Sequence, residues 1–141
     1  MARETRQEMR ATMEDLVTKT GSKNGFHVEH ILSYNEENLV NFGNNEDLFE
    51  QERNRLGGLL MLKGKDNISS GNEIYAKKLK TYAQTLLWNE TLREDSYKSK
   101  LDTAIMQKKY SFNLRHLDRF GPDELEYRHR LLFDISSQIW K

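Results

Sequence analysis

The sequence predicts an α+β, mostly helical domain, with a two-stranded hairpin set between a leading helix and a group of C-terminal helices. Three observations carry this. Two short apolar runs, FHVEHIL at 26–32 and LLML at 59–62, have the length of strands and flank a long polar stretch. Tyr75, Leu79, Tyr82 and Leu86 recur at spacings of 4, 3 and 4, one face of a helix. The single proline, Pro122, follows Gly121 and precedes Asp123 and Glu124, which is the composition of a helix start.

Each element has its own signal. Residues 3–19 read as a helix with Met9, Met13, Leu16 and Val17 on one stripe, and TGSKNG at 20–25 ends it in a turn. Residues 34–52 are asparagine-rich and acidic, so they suit a long loop with a short helix near 48–54. The second strand opens at Gly57–Gly58 and closes at Gly64. Ser70 and Glu73 then have capping-box spacing for the next helix. A further helix is expected over 88–109, with Tyr97, Leu101 and Ile105 inward. The last helix should bury Leu125, Leu132, Ile135 and Ile139, with Trp140 packing it. A hairpin alone is marginal in water, so the helices must supply the core. The order reads as one domain over 1–141: leading helix and turn at 1–24, a ββα unit at 26–87, and C-terminal helices at 88–141.

Composition narrows the function. At 141 residues one domain is the default. The absence of cysteine excludes disulfides and thiolate zinc sites, and fits a cytoplasmic location. Mean hydropathy is -0.86, and no apolar run approaches the roughly 20 residues of a membrane span. The start, MARETRQEMR, lacks the apolar segment of a signal peptide. Net charge is zero, so there is no whole-domain basic footprint for nucleic acid. The charge is uneven, however. Every charge over 34–52 is acidic, whereas Arg53, Arg55, Lys63, Lys65, Lys77, Lys78 and Lys80 outnumber the acids that follow. A neutral total can hide a basic face.

The chemistry concentrates at FHVEHILS, 26–33, where ionisable groups interrupt an apolar strand. Glu29 and His30 end the first strand, and KDNISSGN opens the helix after the second. Phosphodiester hydrolysis needs a base for water and a hard cation at the phosphate. An imidazole, with an ordinary pKa of about 6.5, can be that base. Glu29 and Asn67 offer oxygen ligands suited to Mg²⁺ or Mn²⁺, and Lys63, Lys65 and Lys77 offer charge for the phosphate backbone. On spacing alone, a solvent-facing Glu-His pair is the simpler reading. His27 falls on the strand face opposite His30, and His116 and His129 lack partner spacing.

Four segments extend this reading: EHILS at 29–33, RLGGLLML at 55–62, KDNISSGNEIYAKK at 65–78 and YRHRLLFDISSQIW at 127–140. In this order and spacing they resemble the HNH (ββα-metal) nucleases, specifically the C-terminal HNH domain of GmrSD-type, modification-dependent restriction endonucleases. The helix-start segment is also similar to the HNH domain of CRISPR-guided nucleases. The resemblance implies a ββα-metal finger and a metal-dependent DNA endonuclease serving restriction or phage defence. It implies His30 as general base, Glu29 and Asn67 as ligands of Mg²⁺ or Mn²⁺ (Zn²⁺ or Ni²⁺ being alternatives), and Asn72 and Lys77 as supporting residues. Lys63, Lys65, Lys77, Lys78 and Arg55 are the expected DNA contacts, and Arg128 matches a family arginine, expected in a salt bridge. It further implies DNA as partner, an N-terminal nucleotide-hydrolysing domain in the same protein, and pairing of two copies to cut both strands. Two residues depart from the pattern. Ser33 stands where the family has proline, and Gly58 stands where it has the central asparagine that helps orient the base. Asn54 lies close enough in sequence to substitute. The alternative implied by Gly58 is a degenerate HNH fold that binds DNA or protein without cutting.

Overall fold

The computed structural model describes residues 13–19, 21, 23–98 and 101–141. The two apolar runs pair as expected. Strand β1 (Phe26–His30) runs antiparallel to β2 (Leu59–Lys63), with Phe26 opposite Lys63 and His30 opposite Leu59. Directly opposed residues share a sheet face. Glu29, Leu60 and Leu62 therefore point into the protein and are buried, while Val28 and Met61 point outward and are exposed.

Of the leading helix expected over 3–19, α1 (Met13–Val17) is described; it ends at Val17, and residues 3–12, Met9 among them, lie outside the described residues. The 34–52 stretch is more ordered than a loop. It holds α2 (Glu36–Val40) and α3 (Glu46–Arg53). The asparagines that read as loop composition are caps: Asn35 Oδ1 accepts from the Asn38 amide at 2.9 Å, and Asn45 Oδ1 from the Leu48 amide at 3.0 Å. A 3₁₀ turn (Leu56–Gly58) leads into β2.

The helix expected to begin at Ser70 is two helices. Helix α4 (Gly64–Ser70) follows β2 directly and stops at Gly71, whose φ of +42° suits glycine. Helix α5 (Tyr75–Thr81) then starts afresh. The span expected as one helix at 88–109 is interrupted after α6 (Leu87–Glu90), and α7 (Asp95–Lys98) and α8 (Leu101–Tyr110) are the helices described beyond it. At the interruption Ser96 Oγ donates to the Glu90 carbonyl at 2.7 Å, taking an acceptor that a continuous helix would use. The last helix, α9 (Pro122–Ile139), forms as expected, with Glu124 Oε2 accepting from the Gly121 amide at 3.0 Å.

Two packed clusters make the core. Ile31, Leu32, Phe49, Leu60, Leu62, Tyr82 and Leu125 join under the hairpin, and Met106, Phe112, Leu114, Leu131 and Ile135 form the second. Trp88 and Tyr127 touch both. Along α9, Leu131 rather than Leu132 is the fully buried position, and Ile139 and Trp140 are exposed rather than packed. Arg128 is buried, and among the described residues it makes no salt bridge of the kind expected for it. Its guanidinium lies 3.7 Å from the Trp88 ring and donates to Thr91 Oγ1 and the Trp88 carbonyl. Burial lowers it to about 10, which leaves it charged near neutrality.

Backbone proximity joins α9 to the hairpin. A Cβ on Gly57 would lie 2.6 Å from the His129 nitrogen and 2.7 Å from the Leu125 carbonyl oxygen. At Gly58 it would lie 3.0 Å from Leu125 Cδ1 and 3.1 Å from the Arg53 carbonyl oxygen. The Gly58 carbonyl accepts from the Ile31 amide at 2.9 Å, carrying the ladder past the end of β1. Arg55 clamps the same junction, bonding Glu52 at 2.8 Å and Glu126 of α9 at 2.6 Å.

Gly57→Ala is expected to cost about 1–3 kcal/mol or more in urea unfolding, because neither contact atom can retreat without moving helix backbone. A second expectation concerns acid. Arg130 first, then Arg55, hold the Glu126 carboxyl down at about 2 against an ordinary 4.5. The folded value is the lower one, so the stabilisation is full above about pH 4.5 and is lost as pH falls towards about 2. Glu126→Gln should flatten the fall of Tm within that window and leave its slope above the window unchanged.

Candidate active-site cleft

The end of β1, the middle of α4 and the wall of α5 surround a solvent-open polar cleft of about 250 Å³. Glu29, His30, Ser33, Arg53, Asn67, Asn72 and Lys78 line it. The three residues singled out for chemistry, Glu29, His30 and Asn67, thus meet at one opening. The route is topological. Helix α4 follows β2 without a linker, which brings Asn67 beside the end of β1, and the turn at Gly71 returns the chain along the same opening. Ser33 ties the two sides: its hydroxyl lies 3.3 Å from the Gly71 carbonyl oxygen and 3.1 Å from that of Glu73. At this position the serine hydroxyl supplies a cross-link between the strand end and the α4–α5 turn.

His30 is braced by a side chain distant in sequence. Its Nε2 lies 2.8 Å from Asn54 Oδ1. Asn54 caps the C-terminus of α3, and its Nδ2 donates to the Glu50 carbonyl at 2.7 Å and to Glu50 Oε1 at 3.0 Å. The Asn54 amide is the largest influence on the Glu50 carboxyl and holds it below its ordinary range; desolvation opposes this and Arg53 assists it. Arg53 also donates through Nε to the Leu32 carbonyl at 3.1 Å. It stands at the cleft wall, a place its sequence neighbourhood does not announce. Only its spacing from Glu50, three residues on one helix face, hints at a fixed side chain.

Glu29 has a different environment. It is buried, and its Oε1 accepts from Lys78 Nζ at 2.6 Å and lies 3.3 Å from the Tyr82 hydroxyl. Lys78 Nζ also donates to the His30 carbonyl at 2.6 Å. The expectation that Lys78 contacts DNA is therefore corrected: at 1% exposure it is an internal counter-ion, not a surface cation. Burial pulls its ammonium below the ordinary lysine value, and the Glu29 contact opposes that pull.

The other expected DNA contacts do not form one patch with the cleft. Lys63 bonds Asp15 at 2.7 Å and, with Lys65, lines a separate cavity of about 230 Å³ beside Phe26 and Gln84. Arg55 is held by its two carboxylates at α9. Lys77 is exposed, and Asn72 is exposed at the cleft rim. His27 sits across the strand, accepting from the Gly21 amide at 3.0 Å.

Among the described residues no three histidine, aspartate or glutamate side chains cluster as a ready metal cage. The donors lining the cleft are the Glu29 carboxylate, which is paired with Lys78, the amides of Asn67 and Asn72, the Ser33 hydroxyl and the His30 imidazole. That set fits a hard divalent cation that keeps most of its shell as water and substrate oxygens. An imidazole with one nitrogen engaged, beside such donors in an open polar cleft, is equipped for acid-base chemistry on an anionic substrate. Among the described residues no helix is long and apolar enough to cross a membrane.

A family model described as GmrSD restriction endonucleases, C-terminal domain, matches residues 3–135. No curated protein and no solved structure matches the chain.

Lys78→Met should lower stability by about 3–5 kcal/mol in urea unfolding, since it strands a buried carboxylate. Adding Glu29→Gln removes that charge and should recover a large part of the loss. Equal stability of the single and double variants would show that the pair is not coupled.

Proposed function

The chain belongs to the family of GmrSD restriction endonuclease C-terminal domains, and from that membership we propose that it is a metal-dependent endonuclease domain that hydrolyses DNA phosphodiesters in the cleft at His30. The observation that carries the reading is the meeting of a braced imidazole with Glu29 and Asn67 at one solvent-open site.

His30 takes a proton from the attacking water as its oxygen bonds to phosphorus. The bond from phosphorus to the departing oxygen breaks, and solvent protonates that oxygen. A positioned general base contributes roughly 10²–10⁴ in rate. Glu29 and Asn67 are the residues that would hold the cation. When bound, it supplies charge neutralisation at the scissile phosphate. Lys78 holds the Glu29 carboxylate in place. Ser33 and Gly71 keep the α4 and β1 sides of the cleft in register. Arg53 contributes positive charge at the wall, Asn72 at the rim is available to the DNA backbone, and Lys77 is an exposed cation on α5. The role belongs to the nuclease part of a restriction or phage-defence system.

A second reading is favoured by a specific contact. The resident ammonium on Glu29 Oε1, together with glycine at position 58, suits a cleft that binds DNA without cutting it.

Supercoiled plasmid incubated with the chain and Mg²⁺ or Mn²⁺ separates the two. The nuclease reading expects nicking that chelation abolishes and that His30→Ala lowers by about 10²-fold or more. Nicking unchanged in His30→Ala sinks the assignment of the base. DNA retention with no nicking in any divalent ion supports the binding module instead.

A further inference from the structure

We propose that Glu50 and Asn54 form a positioning relay that fixes the tautomer of His30, so that in the neutral ring Nε2 carries the hydrogen and Nδ1 is the basic nitrogen. The inference deepens the nuclease reading of the cleft and rests on it for its consequence, not for its geometry.

The argument begins at Glu50. Asn54 Nδ2 lies 2.7 Å from the Glu50 carbonyl oxygen and 3.0 Å from its Oε1. Both of these oxygens accept only, so the atom facing them must be the amide nitrogen. A flipped amide would set oxygen against two oxygens and lose both bonds. The flip is therefore decided by chemistry, and Oδ1 is the atom presented to His30. An amide oxygen also only accepts. At 2.8 Å from it, the His30 Nε2 must donate. In the neutral ring the second nitrogen, Nδ1, then holds the lone pair, which is the state a general base requires.

The same residues explain how the chain does without an asparagine at position 58. A side chain there would begin 3.0 Å from Leu125 Cδ1 and 3.1 Å from the Arg53 carbonyl oxygen, inside the α9 junction. Position 58 is committed to packing. Asn54, at the C-cap of α3, reaches the imidazole from the opposite end of the same short connection, and Glu50 one turn earlier sets its orientation. Helix α3 thereby takes over an orienting task that the hairpin loop has no room to perform.

The test is ¹⁵N NMR of the imidazoles in the labelled chain at about pH 8, above the ordinary histidine range. The proposal expects His30 in a single neutral tautomer, with a slowly exchanging Nε2 hydrogen. Asn54→Ala should lose that hydrogen resonance and average the two nitrogen shifts. Glu50→Ala removes one of the two acceptors that fix the Asn54 amide, so it should speed exchange of that hydrogen without shifting it to Nδ1. A wild-type signal with hydrogen on Nδ1, or an Asn54→Ala spectrum identical to wild type, overturns the relay. So does a Glu50→Ala spectrum in which that hydrogen exchanges as slowly as in the wild type. The measurement needs neither metal nor DNA. A chain that holds the tautomer yet never nicks plasmid rejects the nuclease reading alone, and one that nicks while its tautomer averages rejects the relay alone.

Discussion

Leu125 and His129 of α9 come so close to Gly57 that backbone meets backbone with no side chain between them. This contact sets where β2 begins, because the 3₁₀ turn that carries Gly57 and Gly58 runs straight into the strand. It also sets the hairpin register, since the Gly58 carbonyl receives the Ile31 amide just beyond the end of β1. The register in turn decides that Glu29 faces inward and His30 outward. A site assembled at the end of β1 thus depends on a helix whose own side chains take no part in it. Glycine at 58 then has two meanings: it removes a polar side chain from the loop, and it lets the scaffold close.

The cleft keeps a charge inside the protein. Burying an ion pair is costly, and its attraction repays the cost only when remaining hydrogen-bonding groups are satisfied. Here Lys78 divides its hydrogens between Glu29 and the His30 carbonyl, and Tyr82 adds a contact to the same carboxylate oxygen. The pair fastens α5 to the end of β1 at the residue that bears the imidazole. Arg128 serves the second half of the molecule by other means, an indole face, a hydroxyl and a carbonyl in place of an acid. One buried cation thus binds the hairpin to α5, and the other binds α9 to Trp88 and Thr91.

Much of the fold was legible residue by residue. Both strands and the final helix from Pro122 follow from short-range pattern, and the structure has them there. The meeting of Glu29, His30 and Asn67 at one cleft was also legible, because a ββα order brings strand end and helix start together. The misreadings have local physical causes. Asparagines that look like loop residues cap helices, and the Ser96 hydroxyl turns inward to the Glu90 carbonyl where the helix that the apolar spacing favours is interrupted.

What the sequence determined by itself is the set of elements and the chemistry available to them, since periodicity, caps and turn residues act over a few positions of chain. What only the tertiary structure decided is the assignment of each polar group. Lys77 and Lys78 are neighbours of the same charge, yet one faces solvent and the other is sealed against Glu29, 49 positions away. Asn54 reaches His30 across 24 positions, and Arg55 reaches Glu126 across 71. A residue's burial and its partner depend on which distant surfaces the packed core brings against it, and no local spacing carries that information.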